Sequence, residues 1–285
     1  MKIHSIETGY FKLDGGAMFG VVPKSIWSRT NPSDSKNLCT FAMRSMLVED
    51  GNRLVLIDTG IGDKQSDQFF KHYYLHGDDT LEKSIEKAGY NCDQVTDVIL
   101  THLHFDHVGG AVVQNKSTQE LQTKFKNAKY WSNKNHWDWA TKPNPREKAS
   151  FLSENILPIQ ESGQLNFIET GNELGINFSF LMVHGHTESQ IIPHITYGNK
   201  TVIFAADLVP TATHVPLPYV MSYDTRPLLS MTEKEKFLKA SFDNDSILFL
   251  QHDPINECCT LAQNEKGIRV NEKFKLSDLG WLIQL

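Results

Sequence analysis

Cysteine is scarce in this 285-residue chain: Cys39, Cys92, Cys258 and Cys259 are all there is, and no C-x-x-C pair occurs among them. The adjacent Cys258-Cys259 suits neither a zinc knuckle nor an ordinary disulfide framework, so the four read as buried or surface thiols. Long apolar runs are missing too. Met1-Lys2-Ile3-His4-Ser5-Ile6-Glu7 places polar side chains where a secretory signal needs an unbroken apolar core, and no later run approaches a membrane span. These absences point to a soluble, cytoplasmic protein with no membrane partner. Nor is there a surplus of basic residues: a formal net charge of -6 argues against a nucleic-acid partner, because phosphate binding needs a concentrated basic surface. No internal repeat or low-complexity tract is visible, which excludes solenoids and long linkers.

What is present is a large supply of core. Hydrophobic residues make up 40% of the chain and charged residues 22%, the balance of an ordinary globular protein. Length makes one domain over residues 1–285 the default. The runs 40–49 and 53–58 flank Asp50-Gly51-Asn52 and predict a hairpin that ends at Asp58-Thr59-Gly60. Leu81, Ile85 and Ala88 recur at helical spacing before Gly89, and Val95 to Leu100 is a short apolar strand. From about 115 to 160 three tryptophans lie in a polar, proline-punctuated setting, which predicts a helical insertion. Strands follow over 166–169, 175–183, 191–197 and 201–205, the last two around Gly198-Asn199. An amphipathic helix over 233–242 and a final core strand over 247–250 complete the reading.

The strongest signal follows the strand at Val95. With 12 histidines in the chain, a His-x-His-x-Asp-His string arises by chance in roughly one such chain per thousand, and it stands here as His102, His104, Asp106 and His107. Alternate residues of an extended segment face the same way, so His102 and His104 can offer imidazoles to one ion. Asp106 and His107 come after a bend, so one loop can serve two metals. Each zinc-like ion wants about four ligands, more in total than the loop holds. His186, Asp207 and His252, each just beyond an apolar strand, complete the count. Imidazole and carboxylate suit two divalent ions, zinc foremost, with iron, manganese and cobalt as further candidates. Two ions roughly 3.5–4 Å apart can share a water, lower its pKa toward ~7 and polarise a carbonyl or phosphoryl oxygen, so hydroxide attack follows. Asp106 and Asp207 are the catalytic candidates, with Asp106 steering the proton to the leaving group.

This order of residues resembles the metallo-β-lactamase superfamily, an α+β fold of four αββα layers in which two mixed β-sheets are flanked by helices. The resemblance runs from Leu54 to His252. It implies that His102, His104 and His186 hold one ion, that Asp106, His107 and His252 hold the other, and that Asp207 bridges them. Asp58 resembles the family's Asp-Thr-Gly aspartate, which orients a ligand histidine.

Asp207 points away from β-lactam specialists, which typically lack that bridge, and His104 from flavodiiron oxygen reductases, which usually carry Glu there. The overall order is most similar to the branch of N-acyl-homoserine lactonases and methyl parathion hydrolase-like enzymes. The chain departs from that branch in two places. Glu188-Ser189 follows Gly185-His186-Thr187 where Pro-Gly is frequent, and Pro210 stands where lactonases tend to carry a tyrosine that positions the carbonyl.

The expected function is hydrolysis of a small ester-like molecule: a lactone, carboxylic ester or phosphoester. The alternatives are an iron-dependent oxidoreductase acting on oxygen or sulfur substrates, and a metal-binding protein without turnover. Phe19, Phe105, His214, Tyr219 and Tyr223 are candidate substrate contacts, the proline-rich segment after Asp207 being able to wall a pocket. His4, His72, His76, His136, His184 and His194 read as surface or capping residues.

Overall fold

The computed structural model of the protein describes residues 1–281 and comprises two compact units: Met1–Gly9 with Met43–Glu173, and Tyr10–Ala42 with Leu174–Leu285. Both are built on a six-stranded mixed sheet with helices, an α+β architecture.

The strands of the first unit are β1 (Lys2–Asp14), β2 (Leu38–Asp50), β3 (Arg53–Ile57), β4 (Asp97–Ile99), β5 (Val112–Gln114), β6 (Leu121–Thr123), β7 (Lys129–Ser132) and β8 (Leu165–Phe167). The chain passes between the units within β1 and β2. The main sheet runs β1-β2-β3-β4-β7-β8, and β5 pairs with β6 as a separate ribbon. β2 and β3 form the expected hairpin, with Asp50 opposite Arg53 and Gly51 at φ 62, a turn conformation that needs no Cβ. β3, β4, β7 and β8 are mutually parallel, so each step requires a crossover. Between β3 and β4 it includes the helix Leu81–Lys87, started by the Thr80 side chain on Lys83 N and followed by Gly89 at φ 93. Leu56, Val98, Leu100, Tyr130, Trp137, Ile156 and Ile159 share one core.

The segment read as a helical insertion does supply the helices Lys134–Thr141 and Ser153–Glu161. It also supplies β7, whose Tyr130 and Trp131 pair with Val98 and Ile99. It is therefore partly a strand of the main sheet. Four residues are too few to show a period of two, and pairing with β4 is a long-range choice.

The second unit contains β9 (Phe178–Val183), β10 (Gln190–Tyr197), β11 (Lys200–Phe204), β12 (Ile247–Phe249), β13 (Cys258–Asn264) and β14 (Gly267–Phe274). Its order is β14-β13-β12-β11-β10-β9. Only the β11–β12 pair is parallel, and the helix Pro227–Asp243 makes its crossover. All four cysteines are free thiols, and burial, followed by Asp253, pushes Cys259 up to about 12. Among the described residues no helix is long and apolar enough to cross a membrane.

Lys234 is buried inside that helix at 2% exposure, and its ammonium donates to the carbonyls of His214 (3.0 Å), Pro216 (3.2 Å) and Tyr219 (2.7 Å). Three carbonyls of an irregular segment thereby find a partner without water. Lys234→Met keeps the aliphatic stem and removes the donors, so it is expected to cost about 2–4 kcal/mol of unfolding free energy in urea titrations. A loss under about 0.5 kcal/mol would mean that the carbonyls find other partners.

Candidate metal centre

In the first unit β4 delivers the chain into Thr101-His102 and the single turn Phe105–Val108. Asp58, wholly buried after β3, anchors both ends of this loop. Its carboxylate accepts Thr101 N–H (2.8 Å), Thr101 Oγ1–H (2.7 Å) and His107 Nδ1–H (2.9 Å). Thr59 donates from its backbone (2.8 Å) and hydroxyl (2.9 Å) to His107 O. Asp58 holds φ at 57, a conformation that costs a non-glycine residue about 1–2 kcal/mol and that surrounding contacts must enforce. Gly110 packs against the same turn so closely that a Cβ there would lie 2.2 Å from Thr59 O.

These anchors also place the protons. Thr101 Oγ1–H is given to Asp58, so its oxygen accepts from His102 Nδ1 (3.2 Å) and leaves His102 Nε2 as a lone pair. His107 Nδ1–H is held by Asp58, which leaves Nε2, 3.7 Å from Asp106 Oδ2. His104 directs Nε2 toward Glu147 Oε1 (3.5 Å), which leaves Nδ1, 3.0 Å from His102 Nε2.

The second unit repeats the pattern. His186 Nδ1–H donates to Asp224 Oδ1 (2.8 Å) and His252 Nδ1–H to Ala42 O (2.7 Å). Their Nε2 atoms then lie on the two oxygens of Asp207, each at 3.1 Å. Burial opposes charge on His186, but the charges and hydrogen bonds of Asp207 and Asp224 outweigh it and push its pKa up to about 10. Two carboxylates around imidazoles form a socket that calls for a cation. Asp207 is set by Ala206, whose φ of 43 is left-handed. Ala206→Gly is expected to be neutral or to stabilise the fold by up to about 1 kcal/mol, read from the thermal midpoint. A clear loss would show that the methyl packs more than the backbone strains.

The donor set fits divalent ions. The ring nitrogens and carboxylate oxygen that meet at 3.0–3.1 Å, at His102–His104 and His252–Asp207, stand close enough to share either a proton or a divalent ion. Atoms held at roughly 2.0–2.1 Å around a tetrahedral zinc sit about 3.3 Å from one another. Every other ring edge is hydrogen-bonded to an oxygen or faces a carboxylate, the arrangement that orients metal-ligating histidines.

The candidate substrate contacts are placed unequally. Phe19, at 0% exposure, is stacked between Trp27 (5.1 Å) and His214 (4.8 Å). His214 is itself buried, donates Nε2–H to Met18 O (2.8 Å), and burial pushes its pKa down to about 4. Both are buried, Phe19 at 0% and His214 at 1% exposure. Tyr219 stands edge-on to Phe19 and lines, with Asp207, a cavity of about 10 Å³, room for one water at most. Phe105 packs with Phe69 and Tyr73, and Tyr223 is 39% exposed.

Several functional neighbours were not legible beforehand. His136, set aside as a surface or capping residue, is completely buried and accepts Leu103 N–H (2.8 Å) through Nε2. Glu147 backs His104 and is itself held by Trp139 Nε1 (2.7 Å), while Ser150 O accepts Phe105 N–H (3.0 Å). Asp224, just ahead of a helix, carries no motif. At the departure after Thr187, Ser189 adopts φ 51, a glycine-like conformation, and Glu188 pairs with His184 (2.8 Å) and Arg226 (2.9 Å).

Comparison with known proteins identifies the family and the fold. Probable metallo-hydrolases of Mycobacterium bovis and Mycobacterium tuberculosis are 38% identical over 74 residues, 23% of this chain and 24% of theirs, so the chain spans about a quarter of the length of these curated relatives. The fold is similar to that of a probable metal-dependent hydrolase from Staphylococcus aureus (TM-score 0.87, 24% identity, 96% of each chain). It is also similar to that of AidC, a dizinc quorum-quenching lactonase (TM-score 0.77, 23% identity, 94% of this chain and 93% of that one). Residues 44–252 match the family described as the metallo-beta-lactamase superfamily, a stretch that carries Asp58, the whole histidine loop, Asp207 and His252, and the chain therefore belongs to that superfamily.

Proposed function

We propose that the chain is a metal-dependent hydrolase of a small ester-like substrate, a lactone, carboxylic ester or phosphoester. In this reading His102, His104 and His186 take one ion, Asp106, His107 and His252 the other, and Asp207 bridges them. The observation that carries it is the pair of imidazole Nε2 atoms resting on the two oxygens of Asp207 while their Nδ1 edges are held by Asp224 and Ala42. When bound, two divalent ions bring the pKa of water toward about 7 and polarise the oxygen under attack. Zinc is the foremost candidate, supported by the dizinc lactonase of like fold.

The chain's own groups then handle position and protons. Asp58 and Asp224 fix the rings of His107 and His186, and Asp106 carries the proton to the leaving oxygen. Burial, then Asp106, pushes Tyr73 up to about 12; its phenol, protonated at neutral pH as any phenol is, would serve as a donor for a substrate oxygen. This suits a chain with Pro210, rather than a tyrosine, after Asp207. Tyr73→Phe is expected to lower kcat/KM about tenfold with metal content unchanged, and an unchanged kcat/KM would remove Tyr73 from the site.

The test of the function is elemental analysis of the purified chain alongside hydrolysis of a lactone, an aryl ester and an aryl phosphoester. About two ions per chain with turnover of one probe class is the expected result. One iron with oxygen uptake and no hydrolysis, or no metal, would overturn it.

A further inference from the structure

The helix Pro227–Asp243 and the sheet β9–β11 line a cavity of about 590 Å³, open to solvent, that contains none of the metal-ligand candidates. Its walls follow from the sequence periods. Glu233, Lys236, Phe237, Ala240, Ser241 and Asn244 recur at i, i+3, i+4, i+7, i+8 and i+11, one face of a helix. Opposite them, Ser179, His194 and Ile203 are cross-strand partners, and Thr196 faces Thr201 one row on. Residues so aligned share one face of the sheet. Phe237 stacks against His194 at 6.5 Å and 18°. Beyond that contact the facing residues are small: Ala240 and Ser241 on the helix, Ser179, Thr196 and Thr201 on the sheet. The two layers therefore fail to close.

Two polar atoms in this lining have no hydrogen-bond partner among the described residues, His194 Nε2 and Ser241 Oγ, and Ser241 is 3% exposed. Burying such groups without partners is costly, and the polar atoms of a ligand would supply partners. The remaining surface comes chiefly from Leu181, Met182, Val183, Ile203, Phe237 and Ala240. Of the two charged lining residues, Glu233 is occupied: its carboxylate accepts the N–H groups of His184 (2.8 Å) and Gly185 (2.9 Å). Lys236, exposed on the helix's cavity face, supplies the positive charge. The volume lies within the range of roughly 300–1,000 Å³ usual for small-molecule sites.

We propose that this cavity binds a small carboxylic acid with an aliphatic tail, the tail against the apolar wall and the acid group satisfied by His194, Ser241 and Lys236. The site is separate from the hydrolytic reading and does not depend on it.

Isothermal titration of the full, metal-loaded chain with decanoate tests the proposal, with decanol and decyltrimethylammonium as comparison probes. One decanoate per chain is expected, bound more tightly than either comparison. Lys236→Ala, at an exposed position, should weaken decanoate about fivefold and leave decanol unchanged. Ser241→Leu, which fills the cavity and removes the hydroxyl, should weaken all binding tenfold or more, on the order of a lost buried hydrogen bond plus excluded volume. If that variant fails to fold, the Lys236→Ala comparison decides alone. Asp207→Ala should bind decanoate as the parent does; loss of binding there would place decanoate at the metal centre and overturn the proposal. No saturable binding, equal affinity for the cationic probe, or variants that bind like the parent would overturn it as well.

Discussion

Asp207→Ala should leave the purified chain with one ion or none and reduce hydrolysis on the order of a thousandfold or more. The two oxygens of Asp207 each meet a different imidazole, His186 and His252, at the same 3.1 Å. No neighbour can replace both contacts. Asp224 already holds the other edge of His186, and His252 Nδ1 is committed to Ala42 O. Asp207→Asn keeps the shape but halves the acceptor capacity and removes the charge, so its metal content should fall between the parent and the alanine variant. Measuring metal by elemental analysis and turnover on the same preparations separates the possibilities. Full metal content with turnover lost would make Asp207 a participant in chemistry rather than a ligand. Full content with turnover intact would remove it from the site altogether.

The second large effect is expected at a residue that touches no proposed ligand atom. His136→Ala should lower unfolding free energy by about 3–4 kcal/mol and reduce metal occupancy, although His136 carries no motif. The imidazole is fully buried and accepts the N–H of Leu103, the residue between His102 and His104. Alanine opens a cavity and strands that N–H in the core. Because the backbone at Leu103 sets the separation of His102 Nε2 and His104 Nδ1, its release loosens both lone pairs together. His136→Gln restores an acceptor and should recover part of the stability and of the metal. Urea unfolding with and without chelator distinguishes the two roles. A deficit that persists without metal belongs to packing, and the part that appears only with metal belongs to the loop. If the alanine variant matched the parent in both conditions, the claim that the helix Lys134–Thr141 supports the loop would fail.

These two residues sit at opposite ends of what could be read in advance. The hairpin 38–57, the helix before Gly89, the β4 strand and the β9–β12 run follow from apolar period and turn residues, and the structure places them within a few residues of expectation. β1, β13 and β14 went unread because their burial patterns are mixed along the chain, with no clean alternation. β7 was hidden inside a segment dominated by tryptophan and proline. The stack of Phe19 between Trp27 and His214 has no trace in the sequence, where an aromatic looks the same whether it faces solvent or a stack.

What the sequence determined by itself was chemistry tied to adjacency: three histidines and an aspartate within six residues, each following a strand that had to end there. His186, Asp207 and His252 were legible for the same reason, as polar residues just beyond apolar strands. Tertiary structure alone decided which ring nitrogens are held by distant hydrogen bonds. Asp224 lies 38 residues from His186, Ala42 lies 210 residues from His252, and Glu147 reaches His104 from the turn between the helices Lys134–Thr141 and Ser153–Glu161. A hydrogen bond between residues so distant leaves no periodic trace in the chain, because local spacing encodes only the geometry of neighbours. The orientation of the rings is thus a property of packing, whereas the imidazoles themselves are a property of the sequence.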